Sequence, residues 1–458
     1  MNLTLNDIAG ILNSRGNFAQ KVQVRGVSID TRSIEPNMLF FAIQGEQFDG
    51  HAFIREAFQK GAAGAVVSED WLKNGSGKDH FPVIPVQNPL KALQDLAHAY
   101  RKQFDIPVIA VTGSNGKTTT KEMIAEVLRT QFHVLKTEGN QNNHIGVPLT
   151  ILRFERSTEM AVLEMGTNHF GEIQTLCRIS DPTHGLITNI GKGHLAFFNN
   201  LEGVLKAKSE LSDYMENRGI LFLNGDDSML RRLLDRPGRK STFGFSKSCD
   251  LSGAEPRSTG NGVSMVVDKT MKITLSVPGI HNLHNALAAA AVGRLFQIPD
   301  SAIEKALRKY RPSDKRSRII KKAGVTILDD TYNANPSSMI AALKALKAIN
   351  GLNRIIAVLG DMLELGEYSQ FEHQKLGDWI VDLKYDAFFC YGEAMRQAAE
   401  RVLGLGGLQV FHFSKKSDLI SQLQIFLKDG DGMVVKGSRG MQMEDIIEAF
   451  AYTETVNH

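Results

Sequence analysis

The sequence has few cysteines and no long apolar run. Its 458 residues include three cysteines, Cys177, Cys249 and Cys390, and none belongs to a C-x-x-C pair. This odd, scattered set argues against a disulfide framework or a cysteine zinc site and favours a reducing compartment. No apolar run approaches the roughly 20 residues of a membrane-spanning helix, and the N-terminus lacks the features of a signal peptide. We therefore expect a cytoplasmic protein without membrane insertion.

An excess of charge of one sign is also missing. The chain carries 53 basic and 50 acidic residues, which gives a formal net charge of +3. This balance gives no reason to expect nucleic acid or a membrane surface as a partner. Apolar residues make up 42% of the chain, as in ordinary globular proteins, and the length favours about three domains. A monomer is the default expectation.

Short apolar runs alternate with amphipathic stretches, and this pattern predicts strands that alternate with helices. The predicted class is α/β, with mostly parallel sheets covered by helices on both faces. Changes of pattern near Pro107 and Arg311-Pro312 suggest three domains. We predict an N-terminal α/β domain at 1–98, a central domain with a mostly parallel sheet at 99–312, and a Rossmann-like α/β domain at 313–458. Predicted elements include a strand at Met38–Ile43, a strand at Val108–Thr112 and an alanine-rich helix at Asn285–Phe296.

The clearest local motif joins the strand Val108–Thr112 to a predicted helix and reads T-G-S-N-G-K-T-T. Glycines let backbone N–H groups approach phosphate oxygens, and a helix N-terminus favours negative charge. In such a loop Lys117 would reach the terminal phosphates of ATP, and the Thr118 hydroxyl would bind Mg²⁺. The predicted nucleotide-binding residues of this loop are Gly113, Ser114, Asn115, Gly116, Lys117, Thr118 and Thr119.

The loop is shorter than the common G-x-x-x-x-G-K-S/T pattern, because Val111 stands where that pattern has its first glycine. One alternative is therefore a glycine-rich turn without a ligand. Another is a switch or motor ATPase, which would hydrolyse nucleotide without an acceptor. A third is a non-catalytic binding module.

Several motifs together resemble the Mur ligase family along nearly the whole chain. The short loop resembles the T-G-x-N-G-K-T-S/T version of Mur ligases and folylpolyglutamate synthetases. Y-N-A-N-P at 332–336, L-G-D-M-L-E-L-G at 359–366 and K-G-S-R at 436–439 narrow the choice, and the D-N-P-R string of the diaminopimelate-adding member is absent. The resemblance implies an ATP-dependent ligase that joins D-alanyl-D-alanine to UDP-MurNAc-tripeptide through an acyl phosphate. A Mur-type ligase with a different amine is the nearest alternative.

The resemblance also implies a magnesium site with two ions. Glu164 ends a predicted buried strand, where α/β sheets place ligands, and His194 lies in the string N-I-G-K-G-H. Lys208 matches a lysine that the family carries as a carbamate, which can hold Mg²⁺ whereas an ammonium cannot. The expected ligands are Thr118, Glu164, His194 and carbamylated Lys208. From the residues alone, Glu164 could instead pair with a lysine, His194 could be structural, and Lys208 could lie on a solvated helix face.

The remaining site residues also follow from the resemblance. Asn282 and Asn285 resemble the adenine contact, although Asn285 or a neighbour could simply cap the following helix. Arg316 resembles an arginine that reaches ATP phosphates, with Lys315 where a glycine is usual. The expected catalytic residues are Lys117, Glu164, His194, Lys208 and Arg316, and Asp330 is a further expected nucleotide contact. The expected substrate contacts are Ser28, Thr31 and Arg32 in the UDP-binding domain, the loop residues Asn140 and Asn143, and Tyr332, Asn333, Asn335 and Ser438 in the domain for D-alanyl-D-alanine.

Overall fold

The computed structural model of the chain describes residues 1, 3–14, 22–46, 48–73, 81–258, 260 and 262–450. It contains two compact units. The first unit comprises Met1–Val111, Phe132–Gly185 and Glu210–Gly219, and the second comprises Thr112–Gln131, Leu186–Ser209 and Ile220–His458. The three domain boundaries predicted from the sequence stay predictions. Among the described residues, no helix is both long and apolar enough to cross a membrane.

The elements alternate between strands and helices along the chain. The strands are β1 Leu3–Thr4, β2 Gln23–Val24, β3 Gly26–Ser28, β4 Met38–Phe41, β5 Gly64–Ser68, β6 Val83–Val86, β7 Val108–Thr112, β8 Val134–Lys136, β9 Met160–Glu164, β10 His184–Ile187, β11 Ile220–Asn224, β12 Arg239–Gly244, β13 Leu251–Ser258, β14 Val263–Val267, β15 Met271–Leu275, β16 Arg318–Lys322, β17 Val325–Asp329, β18 Ile355–Gly360, β19 Ala387–Tyr391, β20 Gln409–Phe413 and β21 Gly432–Lys436. The α-helices are α1 Leu5–Ile11, α2 Ile54–Gln59, α3 Glu69–Lys73, α4 Pro89–Arg101, α5 Lys117–Leu128, α6 Gly146–Ile151, α7 Glu172–Ser180, α8 Leu195–Phe198, α9 Leu201–Met215, α10 Ser228–Arg231, α11 His281–Leu295, α12 Asp300–Lys309, α13 Pro336–Lys347, α14 Ser369–Asp382, α15 Met395–Leu405, α16 Lys416–Phe426 and α17 Glu444–Ala449.

The first unit contains a four-stranded parallel sheet in the order β3-β4-β5-β6. The strands are continuous apolar runs, as expected for parallel strands that are buried on both faces. Phe40, Ala65 and Val67 pack with Ile54 and Ala57 of α2 in one core. In the same unit β9 pairs in parallel with β7 and with β8. The carboxyl ends of these strands carry the loops with the candidate residues of this unit.

The second unit contains the loop after β7, helix α5, and a six-stranded sheet in the order β16-β17-β21-β18-β19-β20. All neighbours in this sheet pair in parallel except β16, which is an antiparallel edge strand. The loops after β17, β18 and β21 therefore leave the same edge of the sheet. Strands β11 to β15 form a further sheet region, parallel from β11 to β13 and antiparallel from β13 to β15.

The structure confirms the predicted α/β class and corrects one helix. The strand Val108–Thr112 was predicted with the observed bounds, and β4 ends at Phe41, two residues before the predicted end. The alanine-rich helix α11 starts at His281, four residues before the predicted start, because Ile280 already has helical backbone angles. Asn285 therefore lies inside the helix and does not cap it. The stretch 286–293 of α11 is apolar and buried on all sides, as in a helix that is packed inside a protein.

A prediction for stability concerns the ion pair between Arg354 and Asp431, the residues directly before β18 and β21. Arg354 forms two hydrogen bonds with Asp431, Nε to Oδ1 at 3.0 Å and Nη2 to Oδ2 at 2.5 Å, and the Asp431 side chain is only 1% exposed. Arg354→Met leaves this carboxylate buried without its cation. We expect the free energy of unfolding, measured with urea, to fall by about 2 kcal/mol.

Arg401→Met is the matched control, because Arg401 pairs with Asp378 on the surface, where both side chains are more than 40% exposed. Its effect should stay below about 1 kcal/mol. Equal losses in the two variants would contradict the importance of burial at Asp431.

Candidate functional site

The loop between β7 and α5 requires glycine at two positions. Gly113 has φ +143°, and a Cβ there would lie 1.9 Å from the Thr188 hydroxyl. Gly116 has φ +77°, and a Cβ there would lie 2.5 Å from Asn285 Oδ1. These angles turn the chain from the strand into a helix that begins at Lys117. The structure therefore confirms the strand, glycine loop and helix that the motif predicts.

Lys117 lies across the mouth of this loop. Its ammonium donates hydrogen bonds to the carbonyl oxygens of Gly113 at 2.8 Å and Ser114 at 3.4 Å. Thr118 is 6% exposed in the first turn of α5, and Thr119 follows it. A glycine turn, a helix N-terminus and a lysine thus occur together in this loop, as in loops that bind phosphate.

The segment Thr188–Gly191, which sequence reasoning did not assign to the nucleotide site, fixes the conformation of the loop. Ser114 N donates to Asn189 O at 2.9 Å, and Asn115 N donates to Asn189 Oδ1 at 3.0 Å. The Thr188 hydroxyl donates to Asn115 O at 2.6 Å, and Gly191 N donates to Ser114 Oγ at 2.8 Å. The sequence did contain one indication of this role. The segment comes directly after a buried strand, and strand ends of α/β sheets form ligand sites.

Asn282 and Asn285 connect α11 to the phosphate loop helix. Thr120 Oγ1 donates to Asn285 Oδ1 at 3.1 Å, and Asn285 Nδ2 donates to Asn282 Oδ1 at 3.2 Å. Asn282 Nδ2 in turn donates to Pro278 O at 2.7 Å. Both asparagines are buried. The capping alternative is thus wrong for Asn285, and the adenine contact stays a prediction.

His194 has a carboxylate beside its ring. Its Nδ1 lies 2.5 Å from Glu364 Oε2, and Ala196 N donates to Glu364 O at 3.0 Å. The hydrogen bond with His194 holds the pKa of Glu364 below its usual value against the opposing effect of burial. An ionised Glu364 keeps the proton on Nδ1 and leaves Nε2 as the metal-binding nitrogen, the usual arrangement of a metal-ligating histidine. This fits the predicted role of His194, and sequence reasoning missed Glu364.

Glu164 and Lys208 are both buried. Glu164 ends β9 at 2% exposure, and its Oε1 accepts a hydrogen bond from Asn142 Nδ2 at 2.8 Å. Lys208 is also 2% exposed, whereas Lys206 on the same helix is exposed. The alternative of a solvated face is therefore wrong for Lys208. In the part of the chain that the structure describes, no three His, Cys, Asp or Glu side chains converge as a metal site. The predicted magnesium site includes only two such side chains, Glu164 and His194. Thr118 and a carbamylated Lys208 would supply the other ligands.

The loops after β17 and β21 hold most of the residues predicted for the dipeptide. The guanidinium of Arg316 lies 3.7 Å from the centre of the Tyr332 ring. Asn333 Oδ1 accepts a hydrogen bond from Arg439 N at 3.2 Å, next to Ser438. Ser438 Oγ accepts from Leu363 N at 2.8 Å, which joins the loop after β18 to the same group. The structure thus places Arg316 against Tyr332. It also places Asn333 in contact with the residue that follows Ser438.

Asp330 and Asn335 have positions that the sequence did not predict. Asp330 Oδ2 pairs with Lys436 at 2.5 Å, and its Oδ1 accepts from Ser317 N at 2.9 Å. Through these bonds Asp330 connects Ser317, which follows Arg316, to Lys436. Asn335 caps α13, and its Nδ2 donates to Asn115 Oδ1 at 2.7 Å. The Y-N-A-N-P loop therefore contacts the phosphate loop directly through Asn335.

The substrate candidates of the first unit lie in tight turns. Ser28 Oγ donates to Asp30 O at 2.9 Å, and buried Thr31 opens a 3₁₀ turn. Arg32 is 88% exposed and pairs with Asp30 at 2.7 Å. Asn140 O accepts a hydrogen bond from Asn142 N at 2.7 Å. Asn143 Oδ1 accepts from Gly146 N at 2.9 Å at the start of α6, so this asparagine has a local structural role.

Comparison with known proteins identifies the family. The description "Mur ligase family, catalytic domain" matches residues 23–101, "Mur ligase middle domain" matches 111–293, and "Mur ligase, glutamate ligase domain" matches 315–439. The UDP-N-acetylmuramoyl-tripeptide–D-alanyl-D-alanine ligase of Bacillus subtilis (strain 168) is 38% identical over 94% of this chain and 93% of its own. The chain belongs to the Mur ligase family. The ligase of the same name from Escherichia coli (strain K12) is 33% identical over 98% of both chains.

Solved structures of Mur ligases have the same three-domain α/β fold. The crystal structure of MurF from Acinetobacter baumannii has a TM-score of 0.89 with 28% identity and covers 99% of both chains. The MurF ligase from Thermotoga maritima, in complex with ADP, has a TM-score of 0.81 with 27% identity and covers 94% of this chain and 97% of its own. Over 94% of its length the chain therefore matches the fold of a solved relative that is in complex with ADP.

A prediction tests the close contact at Gly116. Gly116→Ala places a methyl group 2.5 Å from Asn285 Oδ1, so the link between Thr120 and Asn285 must break or the loop must shift. Titration calorimetry with ADP should show a loss of affinity of roughly tenfold or more, because a buried hydrogen-bonded group is displaced.

Gly351→Ala is the control for backbone strain. Gly351 has φ +78°, and nothing lies within 4 Å of an added Cβ. Gly351→Ala should lose about 1 kcal/mol of stability, the cost of a left-handed residue with a side chain, and Gly116→Ala should lose more because of its clash with Asn285. Unchanged ADP affinity in Gly116→Ala would show that the contact with Asn285 does not matter for the site.

Proposed function

We propose that this Mur ligase joins D-alanyl-D-alanine to UDP-MurNAc-tripeptide and so makes UDP-MurNAc-pentapeptide for peptidoglycan synthesis. The contact between Asn335 Nδ2 and Asn115 Oδ1 at 2.7 Å carries this proposal, because it ties the Y-N-A-N-P loop to the phosphate loop. A switch ATPase has no need for an acceptor loop at its phosphates. The names of the near full-length relatives support the same substrates.

The proposal assigns one substrate to each predicted domain. Residues 1–98, with Ser28, Thr31 and Arg32, hold the uridine nucleotide. Residues 99–312 hold ATP through Gly113–Thr119, Asn282 and Asn285, and the tripeptide through Asn140 and Asn143. Residues 313–458 hold the dipeptide through Tyr332, Asn333, Asn335 and Ser438. Asp330 acts indirectly, because it holds the segment that carries Arg316.

In the proposed reaction, the terminal carboxylate of the tripeptide attacks the γ-phosphorus of ATP, and ADP leaves. The amine of D-alanyl-D-alanine then attacks the acyl carbon, phosphate leaves, and an amide forms. The first step brings two anions together, so cations near the phosphates lower its barrier. Lys117 and Arg316 supply that charge. The acyl phosphate must also be protected from water, which would hydrolyse it.

The proposed magnesium ions would be held by residues whose chemistry fits them. Thr118 and Glu164 would hold one ion, and His194, Glu164 and carbamylated Lys208 would hold the second. When bound, magnesium neutralises phosphate charge and orients the phosphates. Glu364 occupies Nδ1 of His194, so Nε2 is the ring nitrogen left for a metal ion, and Lys208 is buried, so a carbamate there would be shielded from bulk water.

The location and assembly of the protein belong to the same proposal. A ligase that consumes ATP and a UDP-linked precursor acts in the cytoplasm, where both are available. A monomer stays the default expectation for the working unit.

The deciding experiment measures phosphate release from ATP with each substrate alone and with both together, while mass spectrometry follows the product. We expect release that requires UDP-MurNAc-tripeptide and D-alanyl-D-alanine together and equals pentapeptide formation. Fast release without substrates and without a new amide would overturn the ligase proposal in favour of a switch ATPase. Release with another amine would keep the mechanism and change the acceptor.

A second prediction concerns the carbamate. Lys208→Ala should lower pentapeptide formation by about 100-fold or more, because it removes a metal ligand. Short carboxylic acids added to the assay should partly restore this activity, since they replace the missing carboxylate.

Lys206→Ala is the matched control, because Lys206 is an exposed lysine on the same helix. It should keep full activity and should not respond to added acids. A Lys208→Ala variant that is folded, inactive and not rescued by any acid would argue against the carbamate.

A further inference from the structure

The proposed acceptor carries a negative charge that none of the assigned contacts neutralises. D-alanyl-D-alanine ends in a carboxylate, and Tyr332, Asn333, Asn335 and Ser438 are all uncharged. Recognition of a planar carboxylate favours a cation, above all an arginine with two parallel N–H donors. Four cations lie at or next to the loops after β17 and β21: Lys315, Arg316, Lys436 and Arg439.

Lys436 has no capacity left for a substrate. Its side chain is 3% exposed. The ammonium donates to Asp330 Oδ2 at 2.5 Å, to Asn333 O at 2.7 Å and to Asp330 O at 3.3 Å. An ammonium has three donors, and all three are therefore used within the loop. Lys436 thus acts as an internal brace.

Lys315 and Arg316 are less available than Arg439. Lys315 pairs with Glu444 at 2.9 Å, as Arg439 does, but its side chain is only 32% exposed, against 57% for Arg439. Arg316 lies over the Tyr332 ring at 3.7 Å, and the proposed reaction uses its charge at the phosphates. Arg439 is the remaining cation of the group.

Arg439 combines an anchored backbone with an accessible guanidinium. Its backbone N–H donates to Asn333 Oδ1 at 3.2 Å, and its Nη1 donates to Glu444 Oε1 at 2.6 Å. The side chain is 57% exposed, and Glu444 is its only side-chain ion-pair partner among the described residues. A guanidinium has five N–H donors, so one edge stays available for a carboxylate.

Glu444 fixes the direction of that guanidinium. It is 8% exposed, and its Oε1 accepts hydrogen bonds from both Lys315 and Arg439. Its Oε2 is buried and has no hydrogen-bond partner in the described structure, so it can take a second bond from Arg439. Burial raises the pKa of Glu444, but the bond from Lys315, its own backbone amide and the two cations outweigh burial and hold the pKa below its usual value. Glu444 is therefore a fixed anion.

We propose that Arg439 binds the terminal carboxylate of the incoming D-alanyl-D-alanine and that Glu444 is the positioning residue for its guanidinium. This inference rests on the proposed function. It makes the free carboxylate of the acceptor a condition for efficient use, in addition to the amine that reacts.

The test compares D-alanyl-D-alanine with D-alanyl-D-alaninamide, which has the same shape without the charge. At saturating ATP and UDP-MurNAc-tripeptide, the wild-type enzyme should prefer the acid by about 10- to 100-fold in kcat/KM, the range of one charge-assisted hydrogen-bond pair. Arg439→Ala should raise KM for the acid by a similar factor and leave the amide unchanged, so that the preference disappears. The KM for ATP should not move. Arg439→Lys should restore only part of the preference, because an ammonium lacks the planar fork.

Arg396→Ala is the matched control, because Arg396 is 51% exposed and pairs with Glu393 at 3.2 Å on the surface. It should behave as wild type. A preference for the acid that survives in Arg439→Ala would overturn the inference, and a change in KM for ATP alone would assign Arg439 to the nucleotide. If the wild-type enzyme forms no pentapeptide at all, the proposed function fails, which is a different outcome.

Glu444→Gln tests the positioning role. Neutral glutamine should hold the guanidinium less firmly, and KM for the acid should rise by about threefold to tenfold, since charge-assisted bonds are about twice as strong as neutral ones. The control is Glu448→Gln, an exposed position on the same helix α17. A Glu444→Gln variant that loses kcat/KM equally for acid and amide would show a structural role only and would overturn the positioning claim.

Discussion

The left-handed backbone at Gly113 and Gly116 is the constraint on which the rest of the site depends. These two residues turn a buried strand into a helix within four residues, so the loop lies at the N-terminus of α5. A backbone in this conformation is expensive without support, because it gives up the regular hydrogen bonds of strand and helix. Thr188 and Asn189 replace those bonds at one side of the loop. The site is therefore built from a neighbouring strand end as much as from the motif itself.

Hydrogen bonds with Thr188 and Asn189 hold the phosphate loop in its conformation. Asn115 O is held by Thr188, and Asn115 Oδ1 accepts from Asn335 of the Y-N-A-N-P loop. One residue thus belongs to the nucleotide loop and to the contact with the acceptor loop. In the proposed reaction, the acyl phosphate would form at the phosphate loop and the amine would be held at the Y-N-A-N-P loop. The hydrogen bond between the two loops would keep these reactants close together.

Local patterns predicted most of the fold, and long-range pairings set the limits of that prediction. Buried strands such as Val108–Thr112 are continuous apolar runs, and the phosphate loop is one continuous motif, so both can be found from neighbouring residues. The pairs His194–Glu364 and Lys315–Glu444 join residues 170 and 129 positions apart, and no spacing rule connects them. The start of α11 at His281 was missed for a related reason. Gly279 and Asn282 favour a turn by propensity, whereas burial of the helix against α5 decides the outcome.

The charge pattern of the C-terminal loops shows how the chain handles anions without an excess of positive charge. Two carboxylates there pair with lysines: half-buried Asp330 with Lys436, and buried Glu444 with Lys315, which shares Glu444 with Arg439. Two arginines supply further positive charge. Arg316 lies over the Tyr332 ring, and Arg439 keeps more than half of its side chain in solvent. Because a guanidinium is weakly hydrated and geometrically rigid, it can leave water for an anionic ligand at lower cost than an ammonium. Solvation therefore accounts for the contrast between Lys436, which is 3% exposed and paired inside the loop, and Arg439, which is 57% exposed.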